Sequence, residues 1–175
     1  MRSLIVAGIL ASGSVASAGT YIGLGIGSAP SVGNDSVPGA GAETRSYRGL
    51  LGYSFGHLAI ETELNHFDSA LNTESYGWTM AGVDVKYGIP LGYGFDVYGR
   101  AGLQRTWLSA DDSARGIYAG AGNGLYLGVG VELRLLPMAS VFVDYERQST
   151  TIDAAQPSSY GVSAGMFTLG AILHL

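Results

Sequence analysis

Acid–base and nucleophilic side chains are scarce in this chain and poorly spaced for catalysis. The three histidines, His57, His66 and His174, show no spacing typical of metal ligands. Cysteine is absent, which excludes a thiolate nucleophile, a disulfide framework and a Cys-ligated zinc site. A Ser-His-acid triad has one local candidate, His66 with Asp68 and Ser69. The sequence therefore predicts no metal, no cofactor and no catalytic site, and that trio is the alternative.

Charged residues are few, and acidic ones outnumber basic ones. Of the 175 residues, 13% are Asp, Glu, Lys or Arg, and 9 Lys plus Arg against 14 Asp plus Glu give a net charge of −5. Nucleic-acid-binding proteins usually present a basic face, so this balance argues against a nucleic-acid partner. The adjacent carboxylates of Asp111 and Asp112 are too few for a calcium site.

Glycine and apolar residues make up most of the chain without forming long apolar runs. The sequence has 28 Gly and is 47% hydrophobic, a composition that excludes intrinsic disorder. It has no run of 18 apolar residues, the length that marks a transmembrane helix. The apolar residues must therefore be distributed in another pattern.

That pattern is alternation, which predicts β-strands. The clearest segment, 124–135, has apolar residues at every odd position and Gly, Tyr, Glu or Arg at every even position. This is strand periodicity, with no helical spacing competing. Seven other segments alternate less perfectly. The eight predicted strands are 21–28, 49–55, 58–67, 77–87, 95–107, 124–135, 141–147 and 167–175.

The connections between these strands predict an up-and-down antiparallel order. Three are tight, at 56–57, 89–94 and 136–138. Four are longer and rich in Ser, Gly, Asp and Asn, at about 29–43, 68–75, 109–116 and 149–160. Short turns at one end and longer loops at the other are typical of outer-membrane barrels. We therefore expect an all-β fold, an eight-stranded antiparallel up-and-down transmembrane β-barrel.

Residues 1–18 have the pattern of a secretory signal peptide. Arg2 supplies a positive charge, residues 4–10 are apolar, and Ala16-Ser17-Ala18 is a small-residue cleavage site. The prediction is cleavage after Ala18, which leaves one barrel domain over residues 19–175.

Three observations favour an apolar face turned toward lipid over the core of a soluble, lipocalin-like barrel. Several strands approach the 9–11 residues that a tilted spanning strand needs. The other face is mostly Gly, which suits the narrow lumen of an eight-stranded barrel. Aromatic residues gather near strand ends, as in interfacial girdles, and Arg105 is placed on the outward face near the loops. The girdle candidates are Tyr53, Phe55, Tyr87 and Phe95 near the turns and Trp78, Trp107 and Tyr160 near the loops.

Several motifs resemble the OmpA-like and OmpX-like family of small outer-membrane barrels. Lys86-Tyr87-Gly88-Ile89-Pro90 and the following 95–102 resemble the fourth strand, turn and fifth strand of the OmpA barrel. Gly130-Val131-Glu132, Val143-Asp144-Tyr145 and 165–170 resemble its last three strands. The resemblance implies the barrel domain alone, without the peptidoglycan-binding domain that follows it in OmpA.

The resemblance also implies a network of paired charges inside the barrel. The positions that match the family motifs are Glu61, Lys86, Arg100 and Glu132, and all four fall on the charged face of their strands. Buried charges persist only when paired, so clustering is required if that face is a lumen. Further members on the same face would be Arg48, Glu63, Asp84, Arg134 and Asp144, whereas Phe142 replaces a lumen arginine of the family. The network is either a gate against ion flow or, as we favour, charge compensation in a filled barrel.

The end of the chain resembles the signal that the barrel-assembly machinery reads. Its elements are Thr168, Gly170, Leu173 and Leu175, where Leu175 replaces the usual terminal aromatic residue. The resemblance thus implies that machinery as a partner during biogenesis, with outer-membrane lipid and lipopolysaccharide as partners afterwards.

Together these features predict a bacterial outer-membrane protein with a structural or porin-like role and no catalytic activity. The main alternative is an adhesin or host-factor binder that acts through its external loops. Less favoured are a lipid A-modifying enzyme using His66 and a soluble lipocalin-like binder.

Overall fold

The computed structural model describes residues 19–28, 31–33, 45–71, 74–110, 120–154 and 160–175. Within those ranges no helix is long and apolar enough to cross a membrane. The strands are β1 (Gly19–Gly27), β2 (Ser31–Gly33), β3 (Ser46–Phe55), β4 (Leu58–Leu71), β5 (Glu74–Gly92), β6 (Phe95–Ala110), β7 (Gly120–Leu136), β8 (Ala139–Ala154) and β9 (Tyr160–His174).

The sheet closes on itself. Each long strand pairs antiparallel with the next, in the order β1-β3-β4-β5-β6-β7-β8-β9, and β1 also pairs with β9. The three-residue β2 continues the β1 edge and pairs with β9 from Ser31↔Gly165 to Gly33↔Ser163. The predicted eight-stranded, up-and-down antiparallel barrel is confirmed. We call the end with the short connections after β3, β5 and β7 the turn end and the opposite end the loop end.

Alternation along each strand separates an outward apolar face from a filled interior. On β7, Leu127 and Val129 are exposed, whereas Tyr126 is 1% exposed and Gly128 is buried. Successive side chains of a strand point to opposite faces, so the odd positions of β7 form part of an apolar outer surface. That surface has the polarity expected of a lipid-facing barrel and not of a water-facing one.

The strands extend further than predicted, mostly at the loop end. The predicted loop 68–75 is wrong, because β4 continues to Leu71 and β5 begins at Glu74. Similarly, β8 continues to Ala154, and β2 lies within the predicted loop 29–43. In these segments the regular alternation of apolar and polar residues is lost from the sequence, although strand pairing continues. At the turn end, the predicted turn 89–94 is shorter, since β5 reaches Gly92 through an irregularity at Pro90.

Inward glycines give the interior side chains their space. A Cβ atom added to Gly130 would lie 2.5 Å from the Tyr98 ring, and one on Gly102 would lie 2.6 Å from the Tyr126 ring. A Cβ atom added to the outward Gly99 would lie 3.9 Å from its nearest neighbour, the Gly128 carbonyl oxygen. The inward positions therefore require glycine for close packing, whereas the outward one does not.

The aromatic positions follow the predicted girdles, with one correction. Tyr53, Phe55, Tyr87 and Phe95 are exposed near the turn end, and Trp107 is exposed near the loop end. Trp78 is not part of an outer girdle, because its ring stacks on the buried Phe67 with centroids 5.7 Å apart. Its even position places it on the lumen face of β5. The Tyr160 side chain lies outside the described residues.

Candidate functional site: the charged lumen

The structure places the predicted charged residues inside the barrel. Eight of them are buried, and Arg134 is half-buried at the turn end. The buried eight are Arg48, Glu61, Glu63, Asp84, Lys86, Arg100, Glu132 and Asp144. They come from six strands, β3 to β8, so the network crosses the lumen from side to side.

Arg100 on β6 is the centre of the network. Its guanidinium donates to Glu63 at 2.6 Å and to Glu146, and it lies 3.5 Å from Glu61 and 3.7 Å from Asp84. Charge-assisted hydrogen bonds of this kind are about twice as strong as neutral ones. One arginine thus connects carboxylates from β4, β5 and β8.

Arg48 on β3 binds many of the same carboxylates from the other side. It donates to Asp144 at 2.7 Å and to Glu146 at 2.8 Å, and its Nε donates to the Asn65 side-chain oxygen at 3.0 Å. Glu146 is therefore shared between two arginines. The shared partners join the two guanidinium groups into one cluster.

Lys86 on β5 extends the network toward the turn end. Its ammonium donates to Glu132 at 2.9 Å and lies 3.5 Å from Glu61. It also sits 4.1 Å from the centroid of the Tyr98 ring, within range of a cation–π interaction.

Three buried tyrosines supply hydroxyl donors to the carboxylates. Tyr126 donates to Asp84 at 2.6 Å and Tyr98 donates to Asp144 at 3.3 Å. Tyr21 donates to Glu61. Neutral donors of this kind stabilise ionised carboxylates without adding positive charge.

The sequence prediction missed Glu146 and the roles of the tyrosines. Glu146 has the same strand parity as Asp144, so the alternation of β8 could have identified it. With it included, six buried carboxylates (Glu61, Glu63, Asp84, Glu132, Asp144 and Glu146) face three buried cations (Arg48, Lys86 and Arg100) in the described lumen. Hydroxyl and amide donors are needed because the cations alone do not balance these charges.

The loop-end part of the lumen is neutral. Gln104 donates to Thr150 at 2.9 Å, and the Thr106 and Thr150 hydroxyls lie 3.3 Å apart. Met80, which pairs with Thr106, is also buried. We call Met80, Gln104, Thr106, Gln148 and Thr150 the neutral half. The charged half is the nine buried charged residues, namely Arg48, Glu61, Glu63, Asp84, Lys86, Arg100, Glu132, Asp144 and Glu146.

Two cavities lie at opposite ends of the lumen. A pocket of about 90 Å³ at the turn end is lined by His57, Lys86, Asp96, Arg134 and His174, among others. A pocket of about 10 Å³ near the loop end lies beside Trp78, Thr106 and Gln148. The buried charged half separates them.

An apolar cluster fills the space where the family resemblance implied an arginine. Phe142 is 2% exposed and packs with Tyr21, Leu50, Ala59 and Ile172. The ring occupies the lumen beside the charges without joining them.

The four residues of the predicted assembly signal divide between the two faces of the last strand. Thr168 is buried, and Gly170 packs against the Phe142 ring. Leu173 is 43% exposed and Leu175 is 74% exposed on the outer surface.

The described residues form no metal site, and of the predicted Ser-His-acid trio they include the side chain of His66 alone. No group of three or more His, Cys, Asp or Glu side chains in these ranges could hold a metal ion. His66 Nδ1 lies 3.0 Å from Thr79 Oγ1 on the outer face. The side chains of Asp68 and Ser69 lie outside the described residues.

Comparison with known proteins agrees with this geometry. The chain resembles Neisserial surface protein A (16% identity, TM-score 0.76), covering 93% of this chain and 100% of that one. It also resembles Ail of Yersinia pestis (15%, 0.60, covering 91% and 100%) and OprG of Pseudomonas aeruginosa (14%, 0.57, covering 92% and 98%). At these identities the likeness concerns the fold. Among curated proteins none matches the sequence.

The family model for the outer membrane protein beta-barrel domain matches residues 3–174. The structures that the chain resembles are bacterial outer-membrane barrels, which lie in the lipid bilayer. The chain therefore belongs to the outer membrane protein β-barrel family, and its location is the bacterial outer membrane.

Proposed function

We propose that this chain is a closed barrel that contributes to the structure of the outer membrane and conducts no ions. The observation that supports this most is the buried charged half, which lies across the lumen between the two end cavities. Arg48, Glu63 and Arg100 in this layer are each at most 5% exposed. An eight-stranded barrel is only just wide enough for side chains, so such a layer leaves little room for water.

Planar-bilayer recording tests this function. We expect the wild-type protein to leave the bilayer at its baseline current and the Lys86→Ala and Arg100→Ala variants to do the same once they have assembled. Discrete conductance steps from the wild-type protein would contradict the proposal. Steps that appear only in the variants would make the network a gate and favour the porin-like alternative.

A role as an adhesin is the second candidate. Ail, whose fold this chain shares, is named the attachment invasion locus protein and has been crystallised with the heparin analogue sucrose octasulfate. In this chain the segments 34–44, 111–119 and 155–159 all connect strands at the loop end. If these loops bind a host factor, deletion of 34–42, which spares β2, should abolish surface binding while the barrel still assembles. Unchanged binding would contradict a role for this segment in adhesion.

We infer that the barrel has no catalytic activity, including modification of lipid A. Members of the family are outer-membrane barrel proteins. Overexpression should leave the lipid A mass spectrum unchanged. A new lipid A species that disappears in the His66→Ala variant would overturn this inference.

Biogenesis is expected to involve two signals. We propose cleavage of residues 1–18, so N-terminal sequencing of the outer-membrane form should begin at Gly19. We also propose that the barrel-assembly machinery reads Thr168, Gly170, Leu173 and Leu175. Both leucines at positions 169 and 173 face outward on β9, but only Leu173 belongs to the proposed signal. Leu173→Ser should therefore lower the fraction that migrates as a heat-modifiable barrel more than Leu169→Ser does.

After assembly, lipopolysaccharide is the partner that we propose for the outward surface near the loop end. Binding to vesicles that contain it is the corresponding test.

A further inference from the structure

Among the side chains that the structure describes, the exposed charges of Asp, Glu, Lys and Arg lie at one end of the barrel and have one sign. Among the Asp, Glu, Lys and Arg side chains that the structure describes, the exposed ones are Arg45, Arg105 and Arg147. All the described carboxylates are buried or half-buried. An arginine exposed on a lipid-facing surface is costly unless it reaches a polar or anionic group.

Arg105 and Arg147 lie where the outer surface changes from apolar to polar. On β8, Val143 and Tyr145 precede Arg147, and Ser149 and Thr151 follow it, all on the exposed face. On β7, Leu125 and Leu127 give way to the exposed Asn123 toward the loop end. This change marks the outer boundary of the hydrocarbon region on these strands.

The two arginines flank a single strand. Arg105 pairs with Asn123 of β7 on one side, and Arg147 pairs with Leu127 of β7 on the other. Strands are about 4.8 Å apart and rise about 3.3 Å per residue, so the two arginine positions lie about 10 Å apart across the sheet and about 13 Å apart along it, because Asn123 and Leu127 are four residues apart on β7. The Arg105 guanidinium also lies 5.8 Å from the Trp107 ring, an interfacial aromatic residue.

We propose that Arg105 and Arg147, with Asn123 between their strands, bind the phosphate-bearing headgroup of one anionic outer-leaflet lipid. The patch combines two guanidinium groups, which suit phosphate geometry, with amide and hydroxyl donors. An apolar surface of Leu103, Leu125 and Leu127 lies directly beneath it for the acyl chains. This inference rests on the proposed contact with lipopolysaccharide and assigns that contact to β6, β7 and β8.

Native mass spectrometry of the folded barrel with purified bisphosphorylated lipid A tests the proposal, with phosphatidylcholine as the zwitterionic comparison. Each arginine near a membrane surface contributes roughly a fivefold change in affinity. We therefore expect about fivefold weaker lipid A binding in Arg105→Gln or Arg147→Gln and about 25-fold weaker binding in the double variant. Heat-modifiable migration checks that each variant has folded.

Arg45→Gln is the matched control, because it removes an exposed arginine at the loop end of β3, three strands from either member of the patch. It should retain wild-type binding. Equal weakening in Arg45→Gln, or undiminished binding in the double variant, would overturn the assignment to this patch. Failure of the wild-type protein to prefer lipid A over phosphatidylcholine would instead contradict the proposed lipopolysaccharide contact itself.

Discussion

The charged and neutral halves of the lumen fill similar space by different means. In the charged half, Arg48 and Arg100 hold several carboxylates each, and Glu146 is shared between them. In the neutral half, amides, hydroxyls and the Met80 thioether pack with a few hydrogen bonds between uncharged groups, such as Gln104 to Thr150. Both halves are buried, but only the charged half is expected to depend on every partner remaining in place.

This difference predicts unequal tolerance to substitution. Removing one member of a buried ion network leaves an uncompensated charge, which costs far more than the net contribution of the lost pair. Removing a neutral donor leaves a smaller desolvation penalty.

The largest loss is expected for Arg100→Met. The substitution leaves Glu63 and Glu146 with one fewer cation and should lower the free energy of unfolding by about 3–5 kcal/mol. Urea titration of the barrel in vesicles, read by heat-modifiable migration, measures this. Arg134→Met, at the half-buried turn end, should cost less than about 1 kcal/mol. Equal losses for the two variants would mean that the buried network contributes no more to stability than the half-buried residue at the turn end.

Tyr126→Phe should lower stability by about 1.5–3 kcal/mol. It removes the hydroxyl that donates to one Asp84 oxygen at 2.6 Å, while the other oxygen of that buried carboxylate already lacks a hydrogen-bond partner. The same titration measures it. Tyr145→Phe, on the outer face, is the control, and a comparable loss there would mean that losing a tyrosine hydroxyl destabilises the barrel without any bond to Asp84.

Glycine substitutions should affect the two halves equally, at about 1–3 kcal/mol each. Gly130→Ala in the charged half meets the Tyr98 ring and the Asp144 Cβ, and Gly124→Ala in the neutral half meets the Ser149 carbonyl. The outward Gly99→Ala should be almost silent in the same unfolding assay. If only Gly130→Ala were destabilising, close packing would be specific to the charged half.

The smallest effect is expected for Gln104→Leu, at about 1 kcal/mol or less. The leucine has nearly the volume of glutamine, and Thr150 keeps its contact with Thr106. A loss as large as that of Arg100→Met would show that the neutral half is equally intolerant.

Alternation carried most of the fold prediction, because a period of two assigns each residue of a strand to one face. It assigns Lys86 and Arg100 to the lumen side without reference to their partners. The pairing itself could not be derived, since Arg100 and Glu146 are on strands that are not neighbours and are separated by 46 positions. Which charges meet depends on the stagger of all the strands, and the lengths of the connections set that stagger.

The sequence prediction is wrong for Trp78 and incomplete for Glu146, and both lie near the ends of their predicted strands. Trp78 was predicted to be an outer girdle residue from its nearness to the loops alone, yet its even position on β5 already pointed inward. Glu146 was missed because the predicted strand 141–147 was interpreted from Asp144 only. Following strand parity to the ends of both strands would have corrected these two assignments.

The close fit of interior rings against glycines restricts how sequences of this kind can diverge. Tyr98 fits over Gly130, and Phe142 fits over Gly170 on the neighbouring strand. A larger residue at Gly130 requires a smaller one in place of Tyr98, and the same holds for Gly170 and Phe142. Within each pair, the glycine and the aromatic residue must therefore change together or not at all. Over long divergence, bulk would then pass from one strand to the next while the summed side-chain volume of each layer stays constant.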